Sequence, residues 1–355
     1  NTIFKLAHNL PGFSLVPEGC LEHLGADVGI AGEGEVAFPA LVAAISLAGG
    51  RVPPDLRGKV LRSPPGVDPD LMPPAWDAFD VRRYYEEGSG GAVQTRRGCA
   101  LPCTYCSYPL LEGRRVRSRS AAAVAGEVRR LRDEHGVDHI TFADSVFNVP
   151  ERHAMAVAEA MAGLDPPVKW TAYFHPVFAD PAFFRLMRDS GCEGIDMGAD
   201  SLSDAVLRGM RKGFDPSQAV AFSDGCRTAG IRLNVSLLFG APGETGATVS
   251  ETVACVERCD PDAVTAGIGV RLYPGAEMTE GLIASGHVER AEVGIDPLYY
   301  LADEVRGSIA GTLSETADRD RRWIIPGLDK NWNPRLFSRL RKHGRRGPIW
   351  HLAGG

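Results

Sequence analysis

Apolar and polar residues follow a repeating order along most of the chain. Between residues 92 and 286, a short apolar run is followed by a longer segment whose apolar residues recur at helical spacing, and this pair occurs six times. Such a repeat is typical of strand and helix units that build parallel sheets or α/β barrels. The predicted strands are Ala92–Thr95, His139–Ala143, Val168–Phe174, Glu193–Gly198, Ile231–Phe239 and Val264–Tyr273.

The predicted helices carry recognisable end signals. Glycine follows several of them, as expected of a left-handed helix cap, and Asp215 precedes Pro216 in the order typical of a helix start. Six units predict an open, partial (βα)6 barrel in an α/β protein rather than the closed eightfold barrel. The predicted helices are Ala121–His135, Glu151–Met161, Ala182–Asp189, Ser203–Gly213, Pro216–Thr228, Val249–Cys259 and Met278–Ser285.

The segments on either side of this repeat differ from it in composition. A strand at Gly25–Ala31 and a helix at Val36–Leu47 predict the end of an α/β domain, and a stretch rich in Pro and Gly follows. We therefore expect four consecutive parts: a domain remnant at 1–60, a linker at 61–91, the partial barrel at 92–286 and a mostly helical C-terminal cap at 287–355.

Composition excludes several classes of protein. With 45 acidic and 39 basic residues, the net charge of -6 gives no general attraction to nucleic acid. No apolar run reaches the ~20 residues of a membrane helix, and we expect no integral membrane segment. The chain starts at Asn1 without a leader signal, as expected of a fragment that opens inside a domain. Eight cysteines are too few for a disulfide scaffold and predict a reducing, cytoplasmic location.

Three cysteines lie together in a loop directly after the first predicted barrel strand, as Cys99, Cys103 and Cys106. Gly98 and Pro102 disfavour a helix there. Three thiolates can hold three irons of a cubane iron-sulfur cluster and leave the fourth iron without a protein ligand. Two alternatives stay open, namely three unrelated buried cysteines and a zinc ion that the three thiolates share with a distant histidine. The candidate histidines are His135, His139 and His175.

The C-x3-C-x2-C spacing, with an aromatic residue before the last cysteine, resembles the signature of the radical S-adenosylmethionine (SAM) superfamily. The resemblance implies that Cys99, Cys103 and Cys106 bind a 4Fe-4S cluster whose remaining iron binds SAM. It further implies that an electron from the cluster cleaves SAM to a 5'-deoxyadenosyl radical. Tyr105 would pack on the adenine.

Residues at later strand ends are similar to the SAM contacts of the same family. Asp144 and Ser145 follow the second strand, Asp200 and Ser201 follow the fourth, and the family commonly has Glu where Asp200 stands. The turn after the fifth strand resembles the family's Gly-x-Pro-Gly-Glu turn, and an arginine ends the sixth. The implied contacts are Asp144, Ser145, Asp200, Ser201, Gly240, Gly243, Glu244 and Arg271.

The amino-terminal part resembles the end of the Rossmann-like cobalamin-binding domain that precedes the barrel in one radical SAM class. The motifs are Gly12-Phe-Ser14, Gly25-Ala-Asp27 and Gly32-Glu-Gly-Glu35. The resemblance implies cobalamin-dependent methylation of an unactivated carbon in a small molecule or natural product, with a flavodoxin or ferredoxin as electron donor. Radical rearrangement, dehydration or cyclisation without methyl transfer is the alternative chemistry. A non-catalytic zinc-binding or partner-binding domain is the alternative of another class.

The remaining cysteines and a group of arginines have simpler interpretations. Cys192, Cys226, Cys255 and Cys259 are scattered over predicted strands and helices, which favours core packing over an auxiliary cluster. A transfer-RNA methylthiolating activity is disfavoured, because no second cysteine triplet precedes the first. The arginines just after the cysteine loop could bind carboxylates or phosphates, or lie on the surface. They are Arg114, Arg115, Arg117 and Arg119.

Overall fold

The computed structural model describes residues 15–63, 66–70, 73–87, 91–177, 180–348 and 350, so the Gly12-Phe-Ser14 motif lies outside the described residues. The contacts divide the chain into two units, and each unit is assembled from three separate stretches. The first unit comprises the described parts of Asn1–Met72, Arg97–Arg117 and Arg271–Tyr300. The second comprises the described parts of Pro73–Arg96, Ser118–Val270 and Leu301–Gly355.

The described strands and helices are numbered here in chain order. The strands are β1 (Val28–Gly32), β2 (Lys59–Ser63), β3 (Gly91–Val93), β4 (Arg96–Arg97), β5 (Arg117–Ser118), β6 (His139–Phe142), β7 (Lys169–Phe174), β8 (Cys192–Asp200), β9 (Arg232–Phe239), β10 (Ala263–Ile268), β11 (Val270–Leu272), β12 (Leu298–Tyr300) and β13 (Trp323–Ile324). The helices are α1 (Pro17–His23), α2 (Gly34–Leu47), α3 (Val81–Glu86), α4 (Tyr108–Leu111), α5 (Ala121–His135), α6 (Glu151–Ala162), α7 (Pro181–Asp189), α8 (Asp204–Gly209), α9 (Pro216–Ala229), α10 (Gly246–Cys259), α11 (Glu277–Ala284), α12 (Asp303–Arg306), α13 (Ile309–Arg319) and α14 (Pro334–Lys342).

A seven-stranded sheet dominates the second unit, in the order β13-β10-β9-β8-β7-β6-β3. All of its strand pairs are parallel. The predicted α/β fold with a parallel sheet is confirmed, and the six predicted strands correspond to β3 and to β6 through β10. The seventh strand, β13, was not predicted, because two residues are too short to show a strand pattern in the sequence.

Two predicted elements were too long. The sixth strand was expected to run through Tyr273, but β10 ends at Ile268. Gly269 follows with φ +86°, and the chain continues as β11, which pairs with β12 in a separate sheet. The helix predicted to reach Gly213 ends at Gly209, and Arg211 with φ +53° lies outside the helical region.

The helices pack on one face of the large sheet. Local signals fix their ends: the Ser120 hydroxyl accepts a hydrogen bond from the Ala123 amide at 3.2 Å, and Gly136 with φ +68° ends α5. Helices α5, α6, α7, α9 and α10 contact one another in that order. Between them and the sheet lies an apolar layer of buried rings with centroids 5.0 to 6.4 Å apart. These rings are Phe142, Phe147, Trp170, Phe174, Phe183 and Phe222.

The first unit contains a two-stranded parallel sheet. Strand β1 pairs with β2 in register from Val28 with Lys59 to Gly32 with Ser63. Part of the predicted linker is therefore a strand of this α/β layer, and α1 and α2 contact it. Within the described residues, no helix is both long and apolar enough to cross a membrane.

Candidate functional site

The cysteine loop begins at a position that only glycine can occupy. Gly98 has φ +87°, and a Cβ built there would lie 2.2 Å from the Arg115 carbonyl oxygen. The Gly98 amide donates to Glu112 Oε2 at 3.0 Å, and the Cys99 amide donates to the Gly113 carbonyl at 3.0 Å. These two hydrogen bonds connect the start of the loop to residues 112 and 113 at its end.

Two glutamates from the Gly32-Glu-Gly-Glu35 turn bind the arginines on both sides of this loop. Arg97, just before the cysteines, lies 2.5 Å from Glu35 and 3.8 Å from Glu33. Arg117, just after them, forms an ion pair with Glu33. The four side chains are only 9 to 24% exposed, so the pairs are screened less than surface salt bridges. We call Glu33, Glu35, Arg97 and Arg117 the loop clamp.

Glu33 is ionised over nearly the whole pH range. Burial acts to raise the pKa of Glu33, but hydrogen bonds from Arg117 and from the Gly66 and Val67 amides outweigh burial and lower it to about 2. Both amide distances are 3.0 Å. A carboxylate that accepts several N–H bonds strongly favours its charged form. The negative end of the loop clamp is therefore permanent at neutral pH.

The three loop thiols form a donor set that suits an iron-sulfur cluster. Cys99 is buried, and Cys103 and Cys106 are partly exposed. Around a single zinc ion, thiolate sulfurs would lie roughly 3.8 Å apart, whereas in a cubane each thiolate binds a different iron. Among the described residues, the only three metal-binding side chains with ligand atoms all within 4.8 Å are those of Asp77, Glu134 and His135. The loop thiols are therefore spread more widely than one zinc ion would hold them.

Arg271 and its neighbours lie in the same unit as the cysteine loop. The Arg271 guanidinium stacks over the Tyr273 ring, 5.1 Å from its centroid. Burial raises the pKa of Tyr273, and its electrostatic neighbours include Arg271 and Cys106. The Met278 amide donates to the Thr104 carbonyl at 2.9 Å. The structure thus brings Arg271 toward the predicted cluster ligands, and Tyr105 is half-buried within the loop.

Asp144 lies at the carboxyl end of β6 with its carboxylate used inside the protein. It accepts hydrogen bonds from the Thr95 amide at 2.7 Å, the Thr95 hydroxyl at 2.5 Å and the Arg96 amide at 3.2 Å. Burial raises the pKa of Asp144 to about 6 despite these donors. Asp144 therefore orients the residues that lead into the cysteine loop. The neighbouring Ser145 hydroxyl is buried and has no hydrogen-bond partner among the described residues.

Asp200 and Ser201 end β8 as predicted, and both have partners within the second unit. Asp200 adopts φ +61° and forms an ion pair with Lys212, whose side chain is 6% exposed. The Ser201 hydroxyl lies 3.2 Å from the Thr252 hydroxyl and accepts from the Ser203 amide at 3.2 Å. Lys212 was not singled out in the sequence, because its place beside Asp200 depends on the path of the chain after α8.

The glycine turn after β9 has the conformation that its sequence predicts. Gly240 and Gly243 adopt φ +104° and +81°, where side chains are strained. The Gly240 amide donates to the Glu244 carboxylate, whose other oxygen is buried without a partner among the described residues. Burial raises the pKa of Glu244 to about 7. Glu244 thus closes the turn through its side chain.

The other cysteines and the buried histidines fit a packing role. Burial raises the pKa of the Cys192 and Cys226 thiols, which is typical of inert core cysteines. His175 is buried, its Nε2 lies 2.6 Å from the Lys212 carbonyl, and burial lowers its pKa to about 4. Two of the arginines after the loop form ion pairs inside the protein. Arg117 pairs with Glu33, and Arg119 pairs with Glu127.

The comparisons with known proteins agree with this site. The model of the radical SAM superfamily matches residues 93–256, which include the three loop cysteines. This part of the chain is therefore similar to the radical SAM superfamily.

Two curated relatives are methyltransferases. An uncharacterized methyltransferase of Pyrococcus horikoshii is 28% identical over 80% of this chain and 66% of its own length. The tryptophan 2-C-methyltransferase of Streptomyces laurentii is 25% identical over 76% of this chain and 57% of its own length. This chain thus spans less than two thirds of either relative.

A solved structure shares the fold over nearly the whole chain. It is the radical SAM methyltransferase TsrM of Kitasatospora setae, solved with cobalamin and a [4Fe-4S] cluster bound. The TM-score is 0.77 at 22% identity, covering 97% of this chain and 79% of that one. The predicted α/β fold with its parallel sheet is thus shared with this solved structure.

Proposed function

We propose that this chain is the catalytic core of a cobalamin-dependent radical SAM C-methyltransferase. The observation that carries the proposal is the cysteine loop, whose three closely spaced thiols lie between two arginines, Arg97 and Arg117, that pair with Glu35 and Glu33. The two methyltransferase relatives support the reaction class. The substrate is a small molecule or natural product with an unactivated carbon.

Cys99, Cys103 and Cys106 would hold the 4Fe-4S cluster. When bound, the cluster supplies the electron for reductive cleavage of SAM, and cobalamin supplies the methyl group. The chain's own part is positional: Gly98 sets the entry of the loop, and the loop clamp fixes both ends. Such preorganisation keeps reactive groups in place without reorganisation during the reaction.

The SAM contacts remain predictions of this proposal. Tyr105 would face the adenine, and the residues after β6, β8 and β9 would bind the amino acid and ribose parts. Ser145 supports this assignment, because its buried hydroxyl has no described partner and can accept or donate to a ligand. The residues assigned to SAM are Tyr105, Asp144, Ser145, Asp200, Ser201, Gly240, Gly243, Glu244 and Arg271.

The proposal also covers the cellular compartment, the electron donor and the class of substrate. A chain with only eight cysteines and a low-potential cluster suits a reducing cytoplasm, with flavodoxin or ferredoxin as electron donor. The net charge of -6 supports a small-molecule substrate over nucleic acid. The division into a remnant, a linker, a barrel and a cap also stays a prediction, and no residue is assigned to cobalamin.

The test is anaerobic reconstitution with iron and sulfide. A chemical reductant is then added together with methyl-labelled SAM and cobalamin. The wild type should form 5'-deoxyadenosine, and Cys103→Ala should lose it by at least about 100-fold, because one iron loses its ligand. Cys20→Ala, which removes a partly exposed thiol from α1, is the matched control and should retain activity. Equal deoxyadenosine from Cys103→Ala and the wild type would refute the ligand assignment.

The methyl-transfer part is tested separately with candidate substrates. Label from SAM should appear on a carbon of the product and should require cobalamin. Deoxyadenosine formation without a methylated product would leave the cluster assignment standing but would replace methylation by a radical rearrangement, dehydration or cyclisation.

A further inference from the structure

The face of the large sheet opposite the helices is polar, which is unusual for a parallel sheet. Parallel sheets covered on both faces normally consist of continuous apolar strands. Here apolar and polar residues alternate instead at the middle of five neighbouring strands. The polar side chains on this face are Thr141, Thr171, Asp196, Asn234, Ser236 and Thr265.

A cavity of about 290 Å³ lies on this polar face. Threonine, serine and aspartate side chains of the strands form one side, and residues of the C-terminal segment form the other, including Trp332 and Trp350. All lining residues belong to the second unit. The volume is at the lower end of the range for small-ligand pockets. The cavity therefore suits a ligand of about the size of one amino acid or smaller.

Asp196 is the one carboxyl group among the described residues that line this cavity. It is 8% exposed, and its Oδ1 accepts from the Ser236 hydroxyl at 2.6 Å and from Asn234 Nδ2 at 3.0 Å. The Trp350 indole N–H also donates to this carboxylate, and burial raises its pKa to about 6. Neutral donors stabilise a buried carboxylate only in part. A cation in the cavity would complete its stabilisation.

A second buried polar side chain, that of Asn234, lies next to Asp196. Asn234 is fully buried, and its Oδ1 has no hydrogen-bond partner among the described residues. Its Nδ2 bonds Asp196, Ser236 and Thr265, which fixes the orientation of the amide. A buried acceptor without a donor costs about 1 to 3 kcal/mol unless a ligand or water supplies one. Asn234 does not line the cavity, and its part is to hold the Asp196 carboxylate in place at the cavity wall.

We infer that this cavity binds a small aromatic amine, with the ammonium group at Asp196 and the ring against Trp332 and Trp350. The ammonium supplies the missing charge and N–H donors, and the indole rings supply a flat apolar wall. The inference rests on the proposed function in one respect, since the amine would then be the class of substrate that is methylated.

Binding of two indoles of opposite charge to the reconstituted full chain tests this inference by calorimetry. Tryptamine and indole-3-propionate share the ring and the length of the side chain but carry an ammonium and a carboxylate. Tryptamine should bind at least about 30-fold more tightly, because the cavity offers a carboxylate and no cation. Asp196→Asn should remove most of that difference by weakening tryptamine alone.

Two further variants keep the test decisive. Asp189→Asn removes an exposed carboxylate at the end of α7 and should change neither affinity. Trp332→Leu should weaken both indoles alike, which separates the ring contact from the charge and serves if Asp196→Asn does not fold. Equal affinity for the two indoles, binding of neither, or unchanged tryptamine binding in a folded Asp196→Asn protein would overturn the inference. Because no SAM cleavage is measured, these outcomes are independent of the radical chemistry.

Discussion

Carboxylates near the cysteine loop and carboxylates of the large sheet are stabilised in different ways. Glu33 of the first unit faces Arg117 and two backbone amides, and its pKa is about 2. Asp144, Asp196 and Glu244 of the second unit are buried, and burial raises their pKa values to about 6, 6 and 7. The loop clamp thus keeps a permanent charge, whereas the sheet carboxylates titrate close to neutral pH. The first arrangement suits a rigid frame, and the second suits groups that respond to a ligand or to pH.

The largest effect is expected from Gly98→Ala, which should break the frame of the cysteine loop. The new Cβ would meet the Arg115 carbonyl at 2.2 Å in a conformation that alanine avoids. We expect a loss of at least ~2 kcal/mol in the free energy of unfolding and of most bound iron. Iron content after reconstitution and urea unfolding measure both.

Gly126→Ala is the matched control for this variant. Gly126 lies inside α5, and a Cβ there meets nothing within 4 Å. Alanine should therefore stabilise the helix by up to ~1 kcal/mol and leave iron binding unchanged. Normal iron content in Gly98→Ala would show that the turn does not hold the loop.

The next largest effect is the pH dependence that Glu244 confers on the second unit. Its folded pKa of about 7 lies above the ordinary glutamate value of 4.5, so the folded state binds the extra proton between these two pH values. Stability from this group is complete below pH ~4.5 and is lost, by up to about 3 kcal/mol, as the pH rises through 7. Glu244→Gln should remove about 2 to 3 kcal/mol of that decline in urea unfolding between pH 5 and 8, and the part caused by Asp144 and Asp196 should remain.

Glu257, which is exposed on α10, is the control position for Glu244. Glu257→Gln should keep the decline of the wild type. A Glu244→Gln protein whose stability falls with pH as steeply as that of the wild type would disprove the assigned role of the buried carboxyl group.

Glu33→Gln tests how much the permanent charge of the loop clamp contributes to stability. Loss of the charge that faces Arg97 and Arg117 should lower the stability at pH 7 by about 2 kcal/mol and reduce retention of iron. The folded pKa of Glu33 is lowered, so its contribution is present above pH ~4.5 and disappears as the pH falls toward 2. The difference between variant and wild type should shrink over that acid range, and exposed Glu22→Gln in α1 should show no difference.

The smallest effect is expected for an ion pair that is not buried. Arg208 and Asp204 pair on the surface of α8, with side chains 71% and 51% exposed. Arg208→Gln should change stability by less than ~0.5 kcal/mol. A loss as large as that of Glu33→Gln would mean that pairing alone, and not burial, stabilises the loop clamp.

Local signals explain which elements could be predicted. Helix α5 has its predicted bounds, because Ser120 and Gly136 mark both ends in the sequence. The strand interrupted at Gly269 was overextended, since apolar residues continue on both sides of the break. Strand β13 depends on pairing with β10 and has no local pattern of its own.

In the candidate site, too, local sequence features could be predicted and contacts between distant residues could not. The spacing of the cysteines is a local feature and predicts their chemistry, as do the glycines of the turn after β9. The loop clamp joins residues more than sixty positions apart, so nothing near Glu33 or Glu35 in the sequence indicates Arg97 as their partner. The polar face around Asp196 is likewise visible only when five strands lie side by side.

Metal and spectroscopic analysis of oxygen-free protein tests the central claim most directly. The three loop cysteines should give about four irons and four labile sulfides per chain, and the reduced cluster should give an electron paramagnetic resonance signal that shifts when SAM is added. The shift is expected because the iron without a protein ligand binds SAM. One zinc ion per chain with no sulfide, or a cluster signal that SAM leaves unchanged, would contradict the account.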